Sequence, residues 1–160
     1  MDRKGRENAL AAAASLAHHL DGWPDPTHIL SSDLRRATET ASVVAQVLGT
    51  GTVKTMPELR AYEPKRENPE QYEERSAVAL DRIMAGDGVP VIVAHRSTSA
   101  YLGRIYSRGR WTPDYRSDSL LREGGILAIT PNRLVPLYKA IRTTRDQLGG
   151  ASRQPTVAAG

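Results

Sequence analysis

The chain has 160 residues, enough for one domain with a core of ordinary size. It contains no cysteine, which excludes disulfides and thiolate chemistry, and no apolar run long enough to span a membrane. Its 22 lysines and arginines against 18 acidic residues leave a net charge of +4, which favours anionic partners without specifying nucleic acid. Most of those cations are arginine, the side chain suited to bidentate phosphate recognition. The same abundance of arginine and alanine, with no phenylalanine, also fits the codon usage of a GC-rich genome.

Periodicity predicts a helix over residues 2–20, with Leu10, Ala13, Ala17 and Leu20 on one face. The turn Gly22-Trp23-Pro24-Asp25-Pro26 stops it. A short strand is expected over 28–32. Ser32 is then placed to cap a helix from Asp33 to about Leu48, with Leu34, Ala37, Ala41, Val44 and Leu48 as its buried stripe. Gly49 and Gly51 end that helix, and Val53 to Met56 read as a second strand. The charged, proline-punctuated stretch from Pro57 to Pro69 reads as a surface loop. A helix from Pro69 to Ala85 follows, with Tyr72, Ala79, Leu80 and Ile83 facing inward. Val89 to Ala94 form a strand, and Ser97 or Thr98 is expected to cap a helix reaching about Ser107. Gly125–Thr130 and Leu134–Tyr138 read as a hairpin across Pro131-Asn132-Arg133. The polar, glycine-rich tail is expected to be disordered. The reading is therefore one α/β domain over 1–141, a three-layer sandwich with a mostly parallel sheet, followed by a tail over 142–160.

Two strands end in residues that carry chemistry. Arg36 lies in the first turn after the strand 28–32 and off the apolar stripe, where an anion at the helix end could meet it. The alternative for Arg36 is a solvated arginine paired with Glu39; Arg35 is assigned to the surface. His95 ends the run Val91-Ile92-Val93-Ala94, at a strand-to-helix switch. The alternative there is a hydrogen-bonded core histidine. His18, His19 and His28 have no metal-ligand spacing with carboxylates, and neither a glycine-rich nucleotide loop nor a Gly-x-Ser-x-Gly elbow occurs.

These residues form a pattern. Ser31-Ser32-Asp33-Leu34-Arg35-Arg36-Ala37-Thr38-Glu39-Thr40-Ala41 resembles the S-S-P-L-x-R-A-x-Q-T-A signature of the histidine phosphatase (phosphoglycerate mutase-like) superfamily. Lys4-Gly5-Arg6-Glu7-Asn8-Ala9 is similar to the motif that opens that family's first helix. Glu58-Leu59-Arg60 echoes its x-L-R-E segment, Val91–His95 its second-histidine strand, and Gly124-Gly125-Ile126-Leu127 its late strand. The resemblance is collinear from residue 4 to about 138. It implies phosphoryl transfer through a phosphohistidine, with Arg36, His95, Arg96 and Gly125 about the phosphate and His95 within the catalytic set. No cofactor or metal is implied.

The departures from the pattern are also specific. The resemblance calls for a first strand ending in Arg-His-Gly, and no Arg-His-Gly occurs. The chain opens where the family's first helix does, so the nucleophilic histidine and one arginine clamp are expected to be absent from it. Ala61 stands at the acid position, with Glu58 or Glu63 as substitutes; Arg96 replaces a glycine, and Asp33 a proline. The leading expectation is a domain that binds a small phosphorylated ligand or inorganic phosphate, hydrolysing phosphomonoesters only if the missing nucleophile is supplied. Its rival is a pseudoenzyme acting as a binding or assembly module, for instance a homodimer that exchanges strands to repair the sheet. A weaker third reading makes Arg104, Arg108, Arg110, Trp111, Tyr115 and Arg116 a single-strand nucleic-acid surface. A cytoplasmic protein without membrane or nucleic-acid partners is expected.

Overall fold

The computed structural model describes residues 1–21, 28–110, 126–129 and 134–138. Helix α1 runs Arg3–Leu20, started by Asp2, whose carboxylate accepts the Gly5 N–H at 2.7 Å. Its buried face is Ala9, Ala12, Ala13 and Leu16, rotated from the expected stripe, and Leu10 is 39% exposed. In so alanine-rich a helix several faces are equally compatible with burial, and packing against the next helix decides between them.

Strand β1 (Ile29–Ser31) leads into α2 (Arg35–Leu48), which ends at Gly49 in the left-handed region, with φ 68°. Strand β2 (Val53–Thr55) follows. The predicted surface loop then opens with a 3-10 turn, Pro57–Leu59, that buries Leu59 completely. Helix α3 (Pro69–Met84) begins with a reciprocal box: the Asn68 side chain accepts the Gln71 N–H, and the Gln71 side chain accepts the Asn68 N–H, both at 2.9 Å. Tyr72, Ala79, Leu80 and Ile83 face inward as the periodicity predicts. Strand β3 (Val91–Val93) and helix α4 (Arg96–Tyr106) follow, then β4 (Ile126–Ile129) paired antiparallel with β5 (Leu134–Tyr138). Pro131, Asn132, Arg133, Gly125 and residues 142–160 lie outside the described residues.

The sheet order is β2-β1-β3, all parallel, with Ile29 opposite Val53 and Val91. Alternation along each strand sends residues to opposite faces. Ile29, Val91 and Val93 pack with Ala13 and Leu16 of α1 and Ala41, Val44 and Ala45 of α2. Leu30, Ile92 and Ala94 pack with Met56, Leu59, the inner side of α3 and Leu102 of α4. Helices therefore cover both faces, the arrangement a parallel sheet requires. One edge is open: Val91 and Val93 bond to β1, and among the described residues no strand pairs with the other side of β3. The carboxyl ends of β1 and β3 both turn directly into helices, so two helix N-termini meet at one edge of the sheet.

Candidate functional site

At that edge Ser32 N–H donates to the Val93 carbonyl at 3.1 Å, extending the β1–β3 ladder by one rung. Ser32 and His95 thereby come side by side. The Ser32 hydroxyl lies 2.9 Å from His95 Nε2 and accepts the Leu34 N–H at 3.3 Å. Ser32 is not the cap the sequence suggests: α2 starts at Arg35 with Leu34 as its N-cap and no side-chain cap bond, and Ser32 instead holds the turn before it and braces an imidazole 63 residues away. From the first turn of α2, Arg36 reaches across to the same ring: its Nε–H donates to His95 Nδ1 at 3.3 Å, and Nη2 lies at 3.2 Å. The pairing of Arg36 with Glu39 does not occur. Glu39 is taken by Arg35, at 2.9 Å, and by the Met1 ammonium.

These contacts fix the ring's protonation. A guanidinium can only donate, so Nδ1 must offer its lone pair and the proton must sit on Nε2, donating to Ser32. His95 is only 8% exposed, and burial pushes its pKa down to about 4, aided by the Arg36 charge and opposed by Asp33. The imidazole is therefore neutral near pH 7. Neither α2 nor α4 has an acidic residue in its first turn, so the partial positive charge of both N-termini is left unopposed within the helices. His95 itself is the N-cap of α4, and Arg96, half-buried, is the first helical residue.

Ser97 and Thr98 are not the caps the sequence suggests. Both are buried in the first turn of α4 and hold the segment after the 3-10 turn. Ser97 Oγ accepts the Tyr62 N–H at 3.0 Å, and Thr98 Oγ1 donates to the carbonyls of Leu59 and Arg60, at 3.1 and 3.2 Å. The buried Tyr72 hydroxyl lies 3.0 Å from Thr98 Oγ1, and burial raises its pKa. Arg75 adds a bond from Nη1 to the Glu58 carbonyl at 2.6 Å. Arg60 is thus delivered on a fixed backbone to the same edge, where it grips Asp33 with two bonds: Nε to Oδ1 at 2.7 Å and Nη2 to Oδ2 at 2.5 Å. That hydrogen-bonded guanidinium holds the Asp33 carboxyl below its ordinary range. Of the substitute acids, Glu58 pairs with Arg82 and Glu63 with Arg66. Gly125 lies outside the described residues. Of the proposed nucleic-acid surface, Arg104 pairs with Glu73 and stacks on Tyr101, while Trp111, Tyr115 and Arg116 are not described.

The sequence model of the histidine phosphatase superfamily (branch 1) matches residues 2–63, which include Ser32, Asp33, Arg36 and Arg60. The phosphoglycerate mutase of Plasmodium falciparum superposes with a TM-score of 0.56 at 16% identity, over 68% of this chain and 70% of that one. The family model thus matches the N-terminal part of the chain, and the fold is similar to that of the mutase. A mycobacterial glucosyl-3-phosphoglycerate phosphatase is similar in fold, with a TM-score of 0.54 at 20% identity, over 70% of this chain and 71% of its own. No curated protein sequence matches the chain. Among the described residues no helix is long and apolar enough to cross a membrane, and no cluster of side chains could hold a metal ion.

The histidine phosphatase pattern in the sequence named Arg36 and His95 as partners, and the structure places their side chains in contact. It gave no hint that Asp33 and Arg60 would meet. Opposite charges 27 residues apart, one of them in an apparent loop, carry no periodic signal.

Proposed function

We propose that this histidine phosphatase-type domain binds a phosphoryl oxyanion of a small phosphorylated molecule between Arg36, His95 and the N-termini of α2 and α4. The observation that carries the reading is the Arg36–His95 contact. It holds a guanidinium at a sheet edge where two helix ends already favour negative charge. The Arg36 bonds are long and end on a neutral nitrogen, so an oxyanion, a far stronger acceptor, displaces them at little cost. Both named neighbours act on a phosphoglycerate moiety, which favours a small phosphorylated metabolite over a phosphoprotein.

Hydrolysis through a phosphohistidine needs an imidazole with a nitrogen free to attack phosphorus, while cations hold the equatorial oxygens. His95 has both nitrogens engaged, and its place is that of an oxyanion ligand. His18 and His19 lie in the last turn of α1 and His28 just before β1, at the sheet's other end. The attacking imidazole must therefore come from outside these four histidines. Calorimetric titration with inorganic phosphate is expected to show binding that Arg36→Ala weakens at least tenfold, with no turnover of an aryl phosphate. Equal affinity in the variant would refute the site, and turnover abolished by His95→Ala would refute the lack of a nucleophile.

A second reading, an assembly module, is favoured by the open edge of β3. Residue 92 presents its backbone N–H and C=O away from β1, in an apolar strand that could pair with a second copy. Sedimentation at increasing concentration is expected to show a dimer that Ile92→Pro disrupts, because proline removes only the outward donor. A monomer at all concentrations excludes it.

A further inference from the structure

We propose that Arg60 is a second guanidinium for the same oxyanion, and that Asp33 is an internal anion occupying Arg60 until a ligand displaces it. The proposal rests on the phosphate-binding reading of Arg36 and His95 and goes beyond it by naming what competes with the ligand.

Four observations support it. Asp33 directly follows Ser32, the residue that braces His95, and directly precedes Leu34, the N-cap of α2. Asp33 therefore belongs to the turn between β1 and α2, beside the helix end to which the reading assigns the oxyanion. It takes the paired, parallel bonds from Arg60 that a phosphate would take from a guanidinium, at 2.7 and 2.5 Å. It is close enough to His95 for its charge to act on the ring. Finally, Arg60 is not a loosely tethered surface cation. Its carbonyl is held by Thr98 and by Arg75, at 3.2 and 3.3 Å, so its side chain starts from a fixed point at the strand ends. The pair itself is part-exposed, 41% for the Arg60 side chain and 24% for Asp33, so water can solvate the carboxylate once it is released.

The exchange involves no covalent step: the Asp33 carboxylate leaves the Arg60 guanidinium, and a phosphate oxygen takes its place. Removing the carboxylate charge at constant shape should therefore strengthen ligand binding, and the gain should need Arg60. The test is calorimetric titration of the full 160-residue chain with inorganic phosphate at fixed ionic strength, for the wild type, Asp33→Asn, Arg60→Ala, the double variant, and Arg36→Ala. Asp33→Asn is expected to bind about three- to tenfold more tightly, from Coulomb interaction at a separation of several ångströms. Arg60→Ala alone should weaken binding, because it leaves Asp33 unopposed. The double variant should lose the gain seen in Asp33→Asn.

Affinity unchanged or lower in Asp33→Asn overturns the proposal, and so does a gain that survives intact in the double variant. Asp33→Ser serves as a second probe of the same charge, with far-ultraviolet circular dichroism confirming the fold. The Arg36→Ala arm judges the underlying site separately. Binding lost there while Asp33→Asn has no effect leaves the site standing and removes the latch. Binding kept there removes the site itself.

Discussion

Two arginines reach the carboxyl ends of β1 and β3, and they are held in opposite ways. Arg36 comes from an exposed helical turn and rests on a neutral ring through contacts of 3.2 and 3.3 Å. Arg60 comes from a short irregular segment on a buried platform and closes on a carboxylate at 2.7 and 2.5 Å. Regular structure thus carries the loosely engaged cation, and the irregular segment carries the tightly engaged one. What distinguishes them is the charge of the acceptor. A guanidinium on imidazole gains a weak neutral bond, whereas on a carboxylate it gains two charge-assisted ones. Neither contact stabilises the fold much by itself. The Asp33–Arg60 pair is part-exposed, so water screens it and its net contribution to stability is small.

The largest effect expected is on the platform beneath Arg60. Leu59 is completely buried among Leu30, Met56, Leu80, Ile83 and Leu102. Leu59→Ala opens a cavity there and should cost about 2–5 kcal/mol, measured as a lower midpoint in urea. The adjoining segment should loosen with it, since Thr98 reaches the Leu59 and Arg60 carbonyls from α4. If the segment were the surface loop its composition suggests, the same substitution would change stability by less than about 0.5 kcal/mol.

Much of this was legible before any coordinates. Strands of near-continuous apolar residues ending in polar ones announced a parallel sheet with its site at the strand ends, and Arg36 and His95 follow from that topology. The unread parts have physical causes. In α1 an alanine is nearly indifferent to exposure, so Ala9 and Leu16 rather than Leu10 became the buried face only once α2 was in place, while Leu20 packs at the edge of the same cluster as expected. Ser97 and Thr98 are good caps in isolation. Their hydroxyls found stronger use against Tyr62, Tyr72 and the Leu59 and Arg60 carbonyls, contacts 25 to 39 residues away that local propensity cannot register. Asp33 reads as a departure that spoils a phosphate site, and only its meeting with Arg60 shows that its charge is already matched.

The smaller effect sharpens the contrast between the two arms, because acid should release them in sequence. His95 holds its neutral form down to about pH 4, whereas in the unfolded chain the imidazole protonates near 6.5. Between those values the unfolded state binds the extra proton, so stability falls as pH falls. The contribution is fully present above pH 6.5 and is lost by about pH 4. It amounts to on the order of 3 kcal/mol, from the free energy carried by each unit of pKa. Asp33 behaves differently. Its carboxyl is held below 3.8 by Arg60, so its contribution survives until the pH drops under that value. The Arg36–His95 arm should therefore fail first and the Arg60–Asp33 arm afterwards. Urea midpoints taken from pH 7.5 down to about pH 2.5 test the order directly. His95→Asn keeps an acceptor for Arg36 but cannot protonate in this range, so it should flatten the decline between pH 6.5 and 5 without altering behaviour below pH 4. A decline of equal slope in wild type and variant would mean that the buried ring is not what senses the acid, and that the two arginines are held more alike than their bond lengths imply.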